Sequence, residues 1–406
     1  MPTEKNAPTV LVHATEWHSG AGGLSTLSRD LCLALARAGA DVHCVLTEAT
    51  DAEKQEAAAA GVRLAVAAAV PGHDPKTGLL RRPPLPHGTV PQLVIGHGRI
   101  TGPSARCCVE DHYPSARLLH LVHVAPDELE HWRPGRDDDA GLRADTRTRL
   151  ELDLARGATW AAAVGPRLHQ RLQRDLSVFP GSAEPLRLDP GFDRAGRPTR
   201  RPTPGGPLQV LLMGRMEDWQ IKGVDLGARA LAHALRLRGD AEPEVELLVR
   251  GASPAGCDAL RDAVVGWAAD PALGVTVRPF CAESERLDQD LARATLALMP
   301  SRAEGFGLVG LEAVVAGTPV LVSGRSGLGM LLREILPPAE AARAVVPVTL
   351  HDTDDVMRWG HQIAAVLRDP AAAFATADRM RRAAEAERTW ATVAEQVLGL
   401  LVQDLS

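Results

Sequence analysis

The stretch Glu304-Gly-Phe-Gly-Leu-Val-Gly-Leu-Glu312 places two carboxylates around a Gly-rich turn, with seven residues between them. The apolar segment Ala297–Ser301 before it is typical of the end of a buried strand, and Gly317 stops the helix that follows. Thr318–Val322 then predicts the next strand. Such a strand-to-helix turn lies at the carboxyl edge of a parallel sheet, where α/β proteins bind their ligands.

The two carboxylates, Glu304 and Glu312, can accept hydrogen bonds from hydroxyl groups, and hydrogen bonds to a carboxylate are strong. The helix N-terminus beside them offers N–H groups to an anion. Together these features suit a ligand with both phosphate and sugar hydroxyls. The alternative is that both are ordinary acids favoured by a helix N-terminus. The pattern around the turn argues for the ligand.

That pattern, Pro300-Ser-x-x-Glu304-Gly-Phe-Gly-x-x-x-x-Glu312-Ala-x-x-x-Gly-x-Pro319-Val, resembles the signature of retaining, nucleotide-sugar-dependent glycosyltransferases. This large group 1 family includes bacterial mannosyltransferases and the sucrose and sucrose-phosphate synthases. The resemblance implies the α/β GT-B fold, in which two Rossmann-like, doubly wound domains face each other across a cleft. It also implies that Glu304 contacts the donor sugar and Glu312 holds the ribose. The residues between them that it places against the donor are Gly305, Phe306, Gly307 and Leu308.

Length and composition are those of an enzyme with two or three domains. The chain has 406 residues and a formal net charge of -6, which gives no electrostatic footprint for nucleic acid. Its six cysteines show no C-x-x-C spacing, which favours a reducing compartment. The first residues lack the apolar run of a signal peptide, and no apolar segment could span a membrane. We expect a cytoplasmic location and no integral membrane segment. The oligomeric state stays open.

Strand and helix patterns alternate along the chain, which predicts parallel sheets covered on both faces. A Pro-, Gly- and Arg-rich stretch interrupts the alternation and is typical of a linker. The predicted strands are residues 9–13, 41–46, 93–95, 118–123, 159–164, 208–213, 245–249, 275–277, 295–298 and one starting near residue 318. The predicted domains are residues 1–190 for the acceptor, a linker over 191–207, residues 208–385 for the nucleotide sugar, and a C-terminal helix over 386–406 that crosses back.

The first βα turn, Glu16–Ser25, is also rich in glycine. Gly22 and Gly23 would let the backbone approach a phosphate at the N-terminus of the next helix. The turn does not fit the dinucleotide fingerprint, because Ser25 stands where its third glycine would be. It resembles the N-terminal loop of the glycosyltransferase family, which approaches the donor phosphates and the acceptor. A flexible turn without function is the alternative.

The second half opens with a basic pair. Met213-Gly214-Arg215 ends a strand, and Lys222-Gly223-Val-Asp225 is predicted to start the following helix. A departing nucleoside diphosphate must be stabilised by a metal or by Arg and Lys. The pair resembles the family's Gly-Arg…Lys-Gly motif, although the loop Glu217–Ile221 is slightly longer here. We predict a metal-free clamp and no cofactor, with a donor such as a UDP- or GDP-sugar.

Several histidines follow predicted strands of the first half. The resemblance implies that a His after the middle strand lies near the donor sugar, and His123 matches that place better than His97. We predict His123 as a catalytic residue and His97 as a loop-shaping or acceptor-side residue. His13 and His18 flank the Gly-rich turn and are weaker acceptor-side candidates. The alternative for each is a structural role, in which the ring makes its hydrogen bonds within the protein.

Two Asp clusters, Asp137–Asp139 and Asp352–Asp354, superficially match a metal-binding Asp-x-Asp. Neither follows a strand of a nucleotide-binding half, and Asp is a usual helix N-cap. We therefore predict no metal site. The turn Gly324–Gly329 is a second candidate for contact with the diphosphate, with a simple loop as the alternative.

The sequence thus predicts a retaining, metal-independent glycosyltransferase, with a hexose as the expected sugar. Its acceptor is unknown. We expect it to be polar, because the helix Leu24–Ala38 lacks the basic cluster that anionic lipids require. Two alternatives remain open. One is a catalytically weak sensor or effector that binds a nucleotide sugar, and the other is a GT-B epimerase.

Overall fold

In a computed structural model of the protein, two compact α/β units are seen. The structure describes residues 7–18, 23–132, 139–193, 206–238, 243–281 and 284–403. The first unit comprises residues 1–127, 142–191 and 388–406, and the second comprises residues 128–141 and 192–387. The expected α/β class is confirmed. Most of the expected linker, residues 191–207, lies outside the described residues.

The first unit is built on a parallel sheet of seven strands in the order β3-β2-β1-β4-β5-β6-β7. The strands are β1 Thr9–His13, β2 Asp41–Leu46, β3 Val62–Val66, β4 Leu93–His97, β5 Arg117–Val122, β6 Trp160–Val164 and β7 Leu186–Leu188. The helices are α1 Gly23–Arg37, α2 Asp51–Ala59, α3 Gly98–Cys107, α4 Pro126–Glu130, α5 Ala140–Gly157 and α6 Gly165–Ser177, of which α4 passes into the second unit.

The second unit is built on a parallel sheet of six strands in the order β10-β9-β8-β11-β12-β13. The strands are β8 Leu208–Met213, β9 Val245–Ala252, β10 Gly274–Pro279, β11 Leu296–Met299, β12 Val320–Ser323 and β13 Val345–Val346. The helices are α7 Trp219–Lys222, α8 Val224–Arg238, α9 Cys257–Ala268, α10 Ser284–Arg293, α11 Leu308–Ala316, α12 Gly327–Ile335, α13 Pro338–Ala344, α14 Asp352–Arg368 and α15 Pro370–Glu387.

Central strands of both sheets are largely apolar because helices cover both faces. In β8, Val210 and Leu211 point to opposite faces, and both are buried. The core of the second unit gathers around Trp359 of α14, which is fully buried and donates its indole N–H to the Pro347 carbonyl. These strands therefore hold their carboxyl ends in fixed positions, and the candidate site residues of this unit follow those ends.

The last helix, α16 (Trp390–Gln403), belongs to the first unit and packs against α1. Two polar contacts fix its start and its middle. Arg388 donates to the Asp189 carboxylate at 2.9 Å, and the Gln396 amide donates to the Arg187 carbonyl at 3.0 Å. No helix among the described residues is long and apolar enough to cross a membrane.

A buried ion pair ties the loop after β11 to the start of α8. The Arg302 guanidinium donates to both carboxylate oxygens of Asp225, each at 2.7 Å, and to the Gln220 carbonyl at 2.6 Å. Because the carboxylate accepts from Arg302, the pKa of Asp225 is lowered despite its burial. The Arg302 N–H also donates to the Ile221 carbonyl. The pair therefore fixes the segment that carries Lys222 against the loop that carries Glu304.

Removing one partner of this pair should destabilise the second unit. We expect Arg302→Met to lower the free energy of unfolding by up to about 3–5 kcal/mol, because the buried Asp225 carboxylate would lose both hydrogen bonds from Arg302 and keep only the partly exposed Arg229, at 2.7 Å, as counter-ion. Urea unfolding followed by tryptophan fluorescence measures the change. Arg261→Met is the control, since the ion pairs of Arg261 are exposed and such pairs contribute about 0–1 kcal/mol. A loss below about 1 kcal/mol in Arg302→Met would contradict the structural role.

Candidate functional site

The centre of the candidate site is an ion pair between two residues that the sequence analysis singled out. Lys222 Nζ donates to Glu304 Oε2 at 2.6 Å, and the Ser301 hydroxyl approaches the same oxygen at 3.4 Å. The side chains are 26% and 18% exposed, so both reach the surface. The pair places a cation and a carboxylate together at the carboxyl ends of β8 and β11.

Lys222 reaches Glu304 because of the residue that follows it. We expected Lys222 to start a helix, but it ends the short helix α7, and α8 begins at Val224. Gly223 between them has φ +67°, and a Cβ there would collide with the Pro300 carbonyl oxygen. A side chain at this position would therefore push α7 away from the loop that carries Glu304.

The turn Gly305–Gly307 leads from Glu304 into α11. Glu304 forms an isolated parallel bridge with Ser326, which extends the pairing of β11 and β12. Gly307, at φ +107°, is the N-cap of α11, and a Cβ there would lie 2.7 Å from Met299 Cε. Phe306 is buried, whereas Leu308, the first residue of α11, is partly exposed.

The N-termini of α11 and α12 differ in what their N–H groups can bind. In α12, the N–H groups of Gly327, Leu328 and Gly329 donate to Gly305 O, Phe306 O and Ser326 Oγ. In α11 the N-cap is a glycine without a side-chain cap, and the N–H groups of residues 308–310 show no partner within the described part of the chain. Of the two candidates, α11 is therefore the one with N–H groups left to receive an anion.

Arg215 and Glu312 flank this centre. Arg215 is the N-cap of the turn Met216–Asp218, is about half exposed, and its Nη1 lies 3.8 Å from Asp218 Oδ2. Glu312 lies one turn into α11 and is partly exposed. The structure thus places both on elements that flank the Lys222–Glu304 pair.

In the first unit, His123 follows β5 and its Nε2 lies 2.9 Å from Nδ1 of His97, at the end of β4. The ring centroids are 5.0 Å apart. Burial and the neighbouring His97 and His120 rings lower the pKa of His123 well below 6.5. Burial lowers the pKa of His97 to about 3, with a smaller contribution from His120. Both rings are therefore neutral at pH 7.

The remaining predicted residues of the first unit are placed as follows. Gly23 is the first residue of α1, whereas Gly22 lies outside the described residues. His13 ends β1 and is fully buried, and burial together with His97 lowers its pKa to about 3. His18 Nε2 lies 2.8 Å from a Glu56 carboxylate oxygen and its Nδ1 lies 2.6 Å from an Arg29 guanidinium nitrogen.

Among the described residues of the two Asp clusters, Asp352 has a structural partner. Asp352 starts α14 and accepts from Arg229 at 3.2 Å. Of the other cluster, Asp137 and Asp138 lie outside the described residues. Within the described ranges, no group of three or more His, Cys, Asp or Glu side chains could hold a metal ion.

Two features of the site were not predicted. The Arg302–Asp225 pair was missed, although Arg302 stands inside the quoted motif and Asp225 directly follows Gly223-Val224. The contact between His97 and His123 was not predicted either, because the resemblance offered the two residues as alternatives for one position. Since β4 and β5 are adjacent parallel strands, His side chains that follow their carboxyl ends lie at one edge of the sheet. The adjacency of the strands was the signal that could have paired them.

Comparison with solved structures identifies the fold. Sucrose-phosphate synthase from Thermosynechococcus elongatus superposes with a TM-score of 0.70 at 20% identity, covering 98% of this chain and 99% of that one. Anabaena Alr3699/HepE, solved in complex with UDP and glucose, gives 0.67 at 16% identity, covering 98% and 100%. These likenesses show the GT-B fold.

Comparison with curated proteins covers a shorter part of the chain. A D-inositol 3-phosphate glycosyltransferase from Nocardia farcinica is 34% identical over 233 residues, covering 55% of this chain and 46% of that protein. A glycogen synthase from Mycobacterium tuberculosis is 34% identical over 222 residues, covering 53% and 47%. The chain spans about half the length of these relatives.

The model of one protein family extends over most of the chain. It is described as "Family 4 Glycosyltransferase in conflict systems" and matches residues 11–397. That range takes in both sheets, the Lys222–Glu304 pair and α11. The match and the GT-B fold agree, and the chain belongs to this family of glycosyltransferases.

Proposed function

We propose that the protein transfers a sugar from a nucleoside-diphosphate sugar to a polar acceptor, with retention of configuration and without a metal ion. The observation that carries this proposal is the Lys222–Glu304 ion pair beside the uncapped N-terminus of α11. A diphosphate needs cations and N–H donors, and a sugar needs a hydrogen-bond acceptor for its hydroxyls. These groups lie together on the two segments that follow the neighbouring strands β8 and β11.

In the proposed reaction, the bond between sugar C1 and the diphosphate oxygen breaks, and its electron pair leaves with the diphosphate. The acceptor hydroxyl oxygen forms the new bond to C1, and its proton passes to the departing diphosphate. C1 has oxocarbenium character in the transition state. Lys222, Arg215 and the N-terminus of α11 stabilise the charge that develops on the leaving group. Transfer on the same face of the sugar follows from the sequence resemblance.

The remaining residues bind and orient the substrates. Glu304 accepts hydrogen bonds from sugar hydroxyls while Lys222 keeps a cation beside it. Glu312 accepts from the ribose hydroxyls. The segment 305–308 and the glycines Gly22 and Gly23 allow the backbone to approach the donor. His123 contacts the transferred sugar.

The comparisons support a sugar nucleotide and a polar acceptor. Anabaena Alr3699/HepE was solved with UDP and with UDP-glucose. The two curated relatives are named for D-inositol 3-phosphate and for glycogen, and both compounds are rich in hydroxyl groups. We propose a UDP- or GDP-sugar as donor on this basis.

The family description, which mentions conflict systems, favours one alternative. The protein could serve such a system as a nucleotide-sugar sensor or effector with weak catalysis. Turnover separates the two functions. Slow hydrolysis of UDP-glucose or GDP-mannose without an acceptor indicates a transferase, whereas tight binding without any turnover indicates a sensor.

The basic residues should control turnover. We expect Lys222→Ala and Arg215→Ala each to lower kcat by about 10²–10³, the loss that follows removal of one electrostatic stabiliser of a transition state. Donor hydrolysis or transfer, measured by release of nucleoside diphosphate, gives kcat. Lys54→Ala is the matched control, because Lys54 pairs with Asp51 on an exposed face of α2. Turnover within about threefold of wild type in both variants would show that neither Lys222 nor Arg215 stabilises the departing diphosphate.

Glu312 should control nucleotide affinity instead. We expect Glu312→Ala to weaken binding of UDP or GDP by about 1.5–3 kcal/mol, the range for hydrogen bonds to a charged group. This corresponds to a roughly 10- to 150-fold higher Kd in calorimetry. Glu340→Ala on α13 is the control, since Glu340 pairs only with Arg379 among the contacts seen. Unchanged affinity in Glu312→Ala would exclude the ribose contact.

Activity should not depend on a divalent cation. After dialysis against EDTA, we expect the rate of sugar transfer to equal that of the untreated enzyme, because Arg215 and Lys222 supply the positive charge. Activity that is lost in EDTA and restored by Mn²⁺ or Mg²⁺ would contradict the metal-free clamp and favour a metal site at the Asp clusters.

A further inference from the structure

Four histidines of the first unit lie close together beneath the carboxyl edge of its sheet, and their hydrogen bonds restrict where each proton can be. They are His13, His97, His120 and His123. The first three are almost fully buried, whereas His123 is partly exposed. Each ring has two nitrogens, and in a neutral ring only one of them carries a proton.

Two of the four tautomers follow directly from the partners. His120 Nε2 lies 2.8 Å from a carboxylate oxygen of Glu151, which can only accept, so His120 carries its proton on Nε2. Ser104 Oγ lies 3.1 Å from His13 Nδ1 and donates its single proton to the Thr101 carbonyl. His13 Nδ1 must therefore be the donor to Ser104, which leaves His13 Nε2 bare. That nitrogen is enclosed and has no hydrogen-bond partner.

His97 shows the same arrangement as His13. Its Nδ1 faces His123 at 2.9 Å, and its Nε2 is enclosed without a partner. If His123 were the donor in this contact, His97 would have to carry its proton on the enclosed Nε2. Most buried side-chain donors have a hydrogen-bond partner, which favours the tautomer of His97 with its proton on Nδ1. His97 is also the N-cap residue of α3, where the positive end of the helix favours a bare nitrogen over an N–H.

The other nitrogen of His123 faces a different environment. His123 Nδ1 makes no hydrogen bond within the described part of the chain, and it is not among the enclosed polar atoms without a partner. Since the His123 side chain is partly exposed and its Nε2 faces His97, Nδ1 is the nitrogen of this ring left to bind a ligand. Its protonation decides whether His123 offers that ligand an N–H donor or a lone pair.

We infer that His97 is a positioning residue that donates its Nδ1–H to His123 Nε2 and thereby fixes His123 as the tautomer with its proton on Nδ1. His123 then presents an N–H donor, suited to an oxygen of a sugar or a phosphate, and does not act as a general base. The identity of that oxygen rests on the proposed function, whereas the tautomer rests only on the contacts of the first unit. The lowered pKa values of both rings agree with a neutral pair.

Long-range ¹H–¹⁵N correlation spectra of histidine-labelled protein test the tautomer directly. We expect the His123 ring to show its proton on Nδ1 at pH 7.5, with assignment by comparison with His123→Gln. In His97→Asn the side-chain amide keeps a donor near the position of Nδ1, so the pattern should persist. In His97→Leu, the His123 proton should no longer be confined to Nδ1. If the leucine variant does not fold, His97→Gln takes its place, with the same expected result. His43→Asn is the control, because His43 is equally buried on β2.

Activity then tests the consequence. We expect His97→Leu to lower kcat by roughly 10- to 100-fold, the usual loss for an outer partner of a functional His. His97→Asn should stay within about threefold of wild type, and the Kd for UDP or GDP should not change in either variant. A His123 ring with its proton on Nε2, or one unaffected by His97→Leu, would overturn the inference. The expected tautomer with unchanged kcat would instead uphold it and count against the proposed role of His123.

Discussion

The geometry of the candidate site depends on the buried pair between Arg302 and Asp225. Lys222 and Glu304 are 82 residues apart in sequence, and each lies on a short segment after a strand, Lys222 at the end of α7 and Glu304 in the turn after β11. The two hydrogen bonds from the guanidinium hold these segments in one arrangement, and a planar guanidinium fixes both distance and orientation. Desolvating both charges costs free energy, so we attribute to the pair a role in specifying the arrangement as much as in adding stability.

The packing around this pair explains why the turn after β11 is formed before any ligand arrives. Its backbone donates to the α7 segment through Arg302 and accepts from α12 through Gly305 and Phe306. Gly223 permits the close approach on one side, and Gly307 permits the entry into α11 on the other. Binding of a ligand at this turn would therefore need little ordering of its backbone, which reduces the entropic cost of association.

Much of the fold could be predicted from the sequence because central strands of parallel sheets are continuous apolar runs. The run Leu208–Met213 matches β8 in the structure at both ends. The sequence did not predict β3, β7 and β13, which lie at sheet edges or are only two or three residues long and so carry a weaker apolar signal. In the site, the motif located Glu304 and Lys222, but their contact depends on a turn geometry that residue spacing alone does not reveal.

The place of α16 has a consequence for biosynthesis. This helix packs on α1, so the first unit lacks one of its own covering elements until the second unit has been synthesised. The intervening segment, residues 192–387, takes roughly 10–40 s to translate at about 5–20 residues per second. During that interval the face of α1 that α16 will cover stays open to solvent or to a chaperone. The first unit is therefore the first to be synthesised in part, but it is complete only after the second unit, when α16 has been made.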